Sequence, residues 1–98
     1  MSMIIGIGQV TIHIPESQSL KDKRRVIRSV TQRVRARFDV AIAEVDDQQV
    51  WQSATIGIVS VSNSAHHCDE VVQRVIGFME QSLQSGYLAD VHTEIMHL

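Results

Sequence analysis

Eight of the nine basic residues of this 98-residue chain lie between positions 20 and 37: Lys21, Lys23, Arg24, Arg25, Arg28, Arg33, Arg35 and Arg37. Asp22 is the one acid among them, so the segment carries +7, the rest of the chain carries −9, and the formal net charge of −2 is a cancellation. Segregation of this kind fits the capture of an anionic partner, or the pairing of basic and acidic surfaces within one molecule or between copies of it.

Other groupings of reactive residues are weaker. His66-His67-Cys68 has the residue types of a metal site. Adjacent residues on a helix point about 100° apart, however, and no second His or Cys pair stands at ligand spacing, so no metal is expected. Cys68 fits an apolar helical stripe and reads as a small buried hydrophobe rather than a nucleophile. His13, His92 and His97 sit on strands that could be neighbours, with His92 in a polar row beside Asp90 and Glu94. Gly6-x-Gly8 runs on into more strand and then Pro15, with no helix start to receive a pyrophosphate. Asp46-Asp47, with Glu44 nearby, could attract a cation or a basic partner, and Trp51 just beyond could anchor one. No grouping supplies nucleophile, base and oxyanion donors together, so neither enzymatic activity nor a cofactor is expected.

The elements that must position these residues follow from periodicity and punctuation. Residues 3–14 are rich in β-branched residues, alternate in their second half and stop at Pro15, which reads as a strand. Ser19, with an acid three residues later, caps a helix reaching about Arg37. Asp39 to Val45 and Gln52 to Asn63 read as two strands joined by the polar break Asp46-Asp47-Gln48-Gln49. Asn63 or Ser64 caps a second helix, whose residues Cys68, Val71, Val72, Val75, Met79 and Leu83 recur at helical spacing to about Gln84. Tyr87 to Met96 forms the last strand, with Val91 and Ile95 on one face and Asp90, His92 and Glu94 on the other.

The order β-α-β-β-α-β predicts one ferredoxin-like α+β domain over residues 1–98: a four-stranded antiparallel sheet with two helices on one face. Right-handed crossovers are expected to bring strands one and three together in parallel. Ile5-Gly6-Ile7 is echoed by Ile56-Gly57-Ile58, and Gly6, Gly8 and Gly57 fall mid-sheet, where a helix or another chain could come close. Strands one and three are apolar on both faces near their starts, so the face without helices is a candidate surface for self-association.

In the first helix, Leu20, Val26, Ile27, Val30, Val34 and Phe38 share one arc, and Lys21, Arg24, Arg25, Arg28 and Arg35 lie opposite, with Arg33 and Arg37 at its flanks. Lys23 points into the apolar arc, so its stem must snorkel or its ammonium must meet a partner. Cations in the first turns oppose the helix macrodipole at about 0.3–1 kcal/mol each, a local rule broken in the way functional sites break them. The expected anion-binding set is Lys21, Lys23, Arg24, Arg25, Arg28 and Arg35, and the expected partner-binding set is Asp46, Asp47 and Trp51. Base stacking on the central strands is not expected, because all four aromatics, Phe38, Trp51, Phe78 and Tyr87, lie outside them.

The stretches Ser19-Leu20-Lys21-Asp22-Lys23-Arg24-Arg25, Ala43-Glu44-Val45-Asp46-Asp47-Gln48, Trp51-Gln52 and Val61-Ser62-Asn63 resemble the YlxP-like family of small bacterial proteins, a domain of unknown function. The resemblance spans nearly the whole chain. It implies a ferredoxin-like fold and, in many bacteria, a gene placed among translation and ribosome-maturation factors; it implies no catalytic residue or ligand.

Taken together, these features lead to the expectation of a non-enzymatic module contacting RNA or a ribosomal particle through the first helix. A second reading is a protein-interaction or homo-oligomeric assembly domain whose basic helix docks on an acidic surface; a third is a small-anion sensor. No apolar run approaches the roughly 18 residues of a membrane span, no secretory leader is evident, and the single cysteine needs no oxidising compartment, so a cytoplasmic location and no membrane partner are expected.

Overall fold

The computed structural model describes residues 2–46 and 49–98. It contains strand β1 (Ile4–His13), helix α1 (Leu20–Arg37), strands β2 (Ala41–Asp46) and β3 (Ser53–Ser62), helix α2 (Ala65–Ser82) and strand β4 (Tyr87–His97). The strands form one sheet in the order β2-β3-β1-β4 with every neighbouring pair antiparallel, which is the ferredoxin-like βαββαβ arrangement.

The expected parallel pairing of β1 and β3 is therefore wrong; they run antiparallel, with Ile5 opposite Val61 and Gln9 opposite Gly57. The reason is topological. Each helix returns the chain in its original direction, but two positions along the sheet rather than one, and the intervening strand comes from the other half. The β2–β3 hairpin reverses direction, so β3 opposes β1 as well as β2.

This reversal places the apolar start of β1 beside the apolar end of β3. On the helix side, Val10, Ile12, Ile56, Ile58 and Ile42 meet Ile27, Val30 and Val34 of α1 and Val72, Val75, Ile76 and Met79 of α2, forming the core. α2 lies close to β1 because Gly6 and Gly8 lack side chains. A Cβ on Gly6 would come to 3.0 Å of the Cys68 carbonyl oxygen, and one on Gly8 to 2.9 Å of Val72 Cγ1. Gly57 faces the opposite way, under Val45. The Ile-Gly-Ile echo is thus out of phase: Ile56 faces the helices and is fully buried, whereas Ile5 lies on the other face, and with a side-chain period of two such positions are not equivalent.

Boundaries depart from expectation where side chains intervene. β2 begins at Ala41 rather than Asp39 because Phe38 leaves α1 in an extended conformation and sets its ring edge-on to Phe78, 5.6 Å between centroids. Ser64, not Asn63, caps α2, and that helix ends at Ser82, with the Leu83 N–H still donating to the Met79 carbonyl.

Candidate nucleic-acid interface

α1 begins as its cap residues dictate. The Ser19 hydroxyl accepts the Asp22 N–H at 3.0 Å, while the Asp22 carboxylate accepts the Gln18 N–H at 3.0 Å, satisfying two donors at the helix entry. From this start the eight cations of the helix take separate roles.

Lys23 does not belong to an anion-binding face. Its side chain is completely buried, and its ammonium donates to Glu44 Oε2 at 2.9 Å and to the Ser53 carbonyl at 3.3 Å. An apolar surround accepts an ammonium only against a carboxylate and further acceptors, so the partner its position called for is the acid at the hairpin's edge. The cation that Glu44 holds is a lysine of the same chain.

Arg35, also assigned to the anion-binding set, donates to the Ile42 carbonyl at 2.7 Å and ties the end of α1 to β2. Arg33 reaches the Ser82 carbonyl at 3.2 Å, and Arg37 stacks 4.7 Å above the Phe78 ring. These three side chains stay exposed but are oriented by the fold.

Lys21, Arg24, Arg25 and Arg28 are different. All four are exposed and, among the described residues, none has an ion-pair or hydrogen-bond partner. Their spacing puts them on one stripe about 10 Å long at 1.5 Å rise per residue. With Ser29, Gln32, Arg33 and Ala36 they line an open recess of about 730 Å³. Unpaired guanidinium forks on a rigid helix suit phosphate oxygens, which they hold in charge-assisted, bidentate hydrogen bonds. Ser29 and Gln32 add neutral donors to the same stripe; the i, i+3, i+4 spacing from Arg25 and Arg28 is the signal that would have included them.

The other candidates scatter. Asp46 ends β2 and is exposed, Trp51 is exposed in the connection to β3, and Asp47 lies outside the described residues. Gln52 donates to the Pro15 and Ser17 carbonyls and fastens that connection to the entry of α1. His66 and His67 face solvent while Cys68 is buried with its thiol toward the Ile4 carbonyl, so the three do not converge. No cluster of three metal-ligating side chains occurs among the described residues, and no helix among them is long and apolar enough to cross a membrane. His13 packs edge-on to Tyr87 at 5.6 Å, apart from His92, which lies opposite Gln9, and His97, opposite Ile4.

Comparison with known proteins adds a family but no activity. Uncharacterized protein YlxP of Bacillus subtilis (strain 168) is 35% identical over 77 residues, 79% of this chain and 84% of that protein. Among solved structures, the chain is similar to LarC2, described as the C-terminal domain of a cyclometallase involved in synthesis of the NPN cofactor of lactate racemase, in its apo form. The identity there is 6% and the TM-score 0.49, with this chain fully covered but spanning only 58% of that one. A dimeric ferredoxin-like protein from an uncultured marine organism gives 11% identity and a TM-score of 0.42, covering 96% of this chain and 87% of that one. Residues 5–93 match the family described as protein of unknown function DUF503, and to that family the chain belongs.

Proposed function

We propose that the chain is a non-enzymatic binding module that holds RNA by its phosphate backbone on the stripe Lys21, Arg24, Arg25 and Arg28. The observation that carries this reading is the division of labour on α1: four cations serve the fold, and four stand together on its outer face without a partner among the described residues. Nothing in the packing needs those four, and in the first turns they oppose the macrodipole. With no Phe, Tyr or Trp on β1 or β3, binding is backbone-directed and weak in sequence preference. The gene neighbourhood implied by the YlxP-like resemblance makes ribosomal RNA the first RNA to try.

The test is a salt titration of RNA binding by the purified protein. About four phosphate contacts give a log–log slope near −3 to −4. The Arg24→Glu/Arg25→Glu/Arg28→Glu variant should lose binding while melting normally. Binding that is absent, or that does not respond to salt, would refute the proposal.

A further inference from the structure

The face of the sheet turned away from the helices carries, among its exposed apolar side chains, Val61 (63% exposed), Val45 (57%), Met96 (44%) and Val59 (41%). Ile5 and Ile7, half-buried, lie between them on β1. The registers arrange this face in rows running from β4 to β2: Met96, Ile5, Val61; then Glu94, Ile7, Val59, Ala41; then His92, Gln9, Gly57, Ala43; then Asp90, Thr11, Thr55, Asp46. No Lys or Arg lies on these rows, so the face has nothing to offer a nucleic acid. Its first two rows are apolar apart from Glu94, its last is polar, and β2 presents the small Ala41 and Ala43 before Val45.

We infer that this face is covered by a second copy of the chain, packed sheet on sheet about a two-fold axis running along β1 and β3. Four strands of 6 to 11 residues, about 4.8 Å apart, present about 600 Å² per copy. Two copies bury about 1,200 Å², the lower end of what specific stable interfaces use. A two-fold interface must be complementary to itself, and the rows meet that demand in one orientation. Rotation about the strand direction keeps each row over its own counterpart and exchanges the edges, so β4 of one copy lies over β2 of the other. Ile7 then meets the second copy's Val59, Ile5 meets its Val61, and Glu94 and His92 extend over the small Ala41 and Ala43. Rotation about the perpendicular axis instead reverses the rows, laying the apolar end of one copy on the polar end of the other unless the sheets slide along the strands and bury less. In the chosen arrangement Asp90 of one copy and Asp46 of the other share the polar end, where two twisted sheets diverge and water enters to screen them.

Two measurements test this. In sedimentation velocity the protein should run at twice its 11.0 kDa chain mass and remain so at molar salt. Val59→Lys/Val61→Lys charges two exposed positions without touching the core; it should yield a monomer whose melting curve stays cooperative. Orientation is read by crosslinking with a short bismaleimide: a mixture of Ala41→Cys chains and Glu94→Cys chains should give a covalent dimer, and neither chain alone should. A wild-type monomer at millimolar concentration overturns the proposal. So does a dimer that survives the double lysine variant, or one abolished by high salt or by Arg24→Glu/Arg25→Glu/Arg28→Glu, since those would place the contact on α1. Crosslinking of Glu94→Cys chains to one another overturns the orientation.

Discussion

α1 and α2 are both 18 residues long, both start on a serine hydroxyl that accepts an amide three residues on, and both pack on the same side of the sheet. Their contents diverge. α2 buries Cys68, Val72, Val75, Ile76 and Met79 against a strand whose glycines let it approach, and Arg74, paired at 3.2 Å with Glu70, is its one basic residue apart from histidines. α1 buries Ile27, Val30 and Val34 but also Lys23 and Thr31, and carries eight of the chain's nine cations. A helix needed only for packing can be built as α2 is, so the cations on α1 that the fold does not use call for an explanation outside it.

That contrast can be tested by removing what distinguishes each helix. The largest effect should come from the α1 side of the core. Glu44→Ala leaves the Lys23 ammonium buried without its carboxylate and should cost about 3 kcal/mol in denaturant unfolding, whereas Glu44→Ala combined with Lys23→Met should recover most of the loss. A cost below about 1 kcal/mol for Glu44→Ala alone would mean that the remaining partners of Lys23, the Ser53 carbonyl among them, suffice. On the α2 side, Gly6→Ala drives a Cβ against the Cys68 backbone, which a rotamer change cannot relieve, and should cost about 2 kcal/mol. A cost below a few tenths would show that α2 is free to lift. The smallest effect should have the opposite sign: Lys21→Glu, which relieves the macrodipole and gives Arg25 an i, i+4 partner, should stabilise by about 0.5 kcal/mol while weakening RNA retention. If stability and binding fall together, the stripe is part of the fold after all.

Much of this is legible in the sequence. The Ser19 cap, the Arg37 end of α1 and the core stripe of α2 follow from local hydrogen bonding and a 3.6-residue period, and both are properties of short segments. The inward direction of Lys23 was equally legible, but its partner stands 21 residues away across a hairpin, and helical spacing carries no information about that distance. The same holds for Arg35 and Arg37: their angular positions on α1 were clear, yet a bond to the Ile42 carbonyl and a stack on Phe78 depend on which strand and which helix lie alongside. The antiparallel sense of β1 and β3 follows from the hairpin and the crossovers taken together, because each crossover skips one strand; the β-α-β order alone does not show that skip.

The Lys23 pair also bears on how the molecule opens. First turns of helices fray readily, and a first turn crowded with like charges should fray more than most. Here the fourth residue of the helix is fastened to β2 by a carboxylate and to β3 by a carbonyl, so loosening the turn means extracting a buried ammonium from both strands. Local fluctuation at this end is thereby coupled to rupture of the sheet edge, and the turn inherits the slow opening of the core. Lys21, Arg24 and Arg25 are held out on a backbone that opens far more rarely than its own sequence would allow.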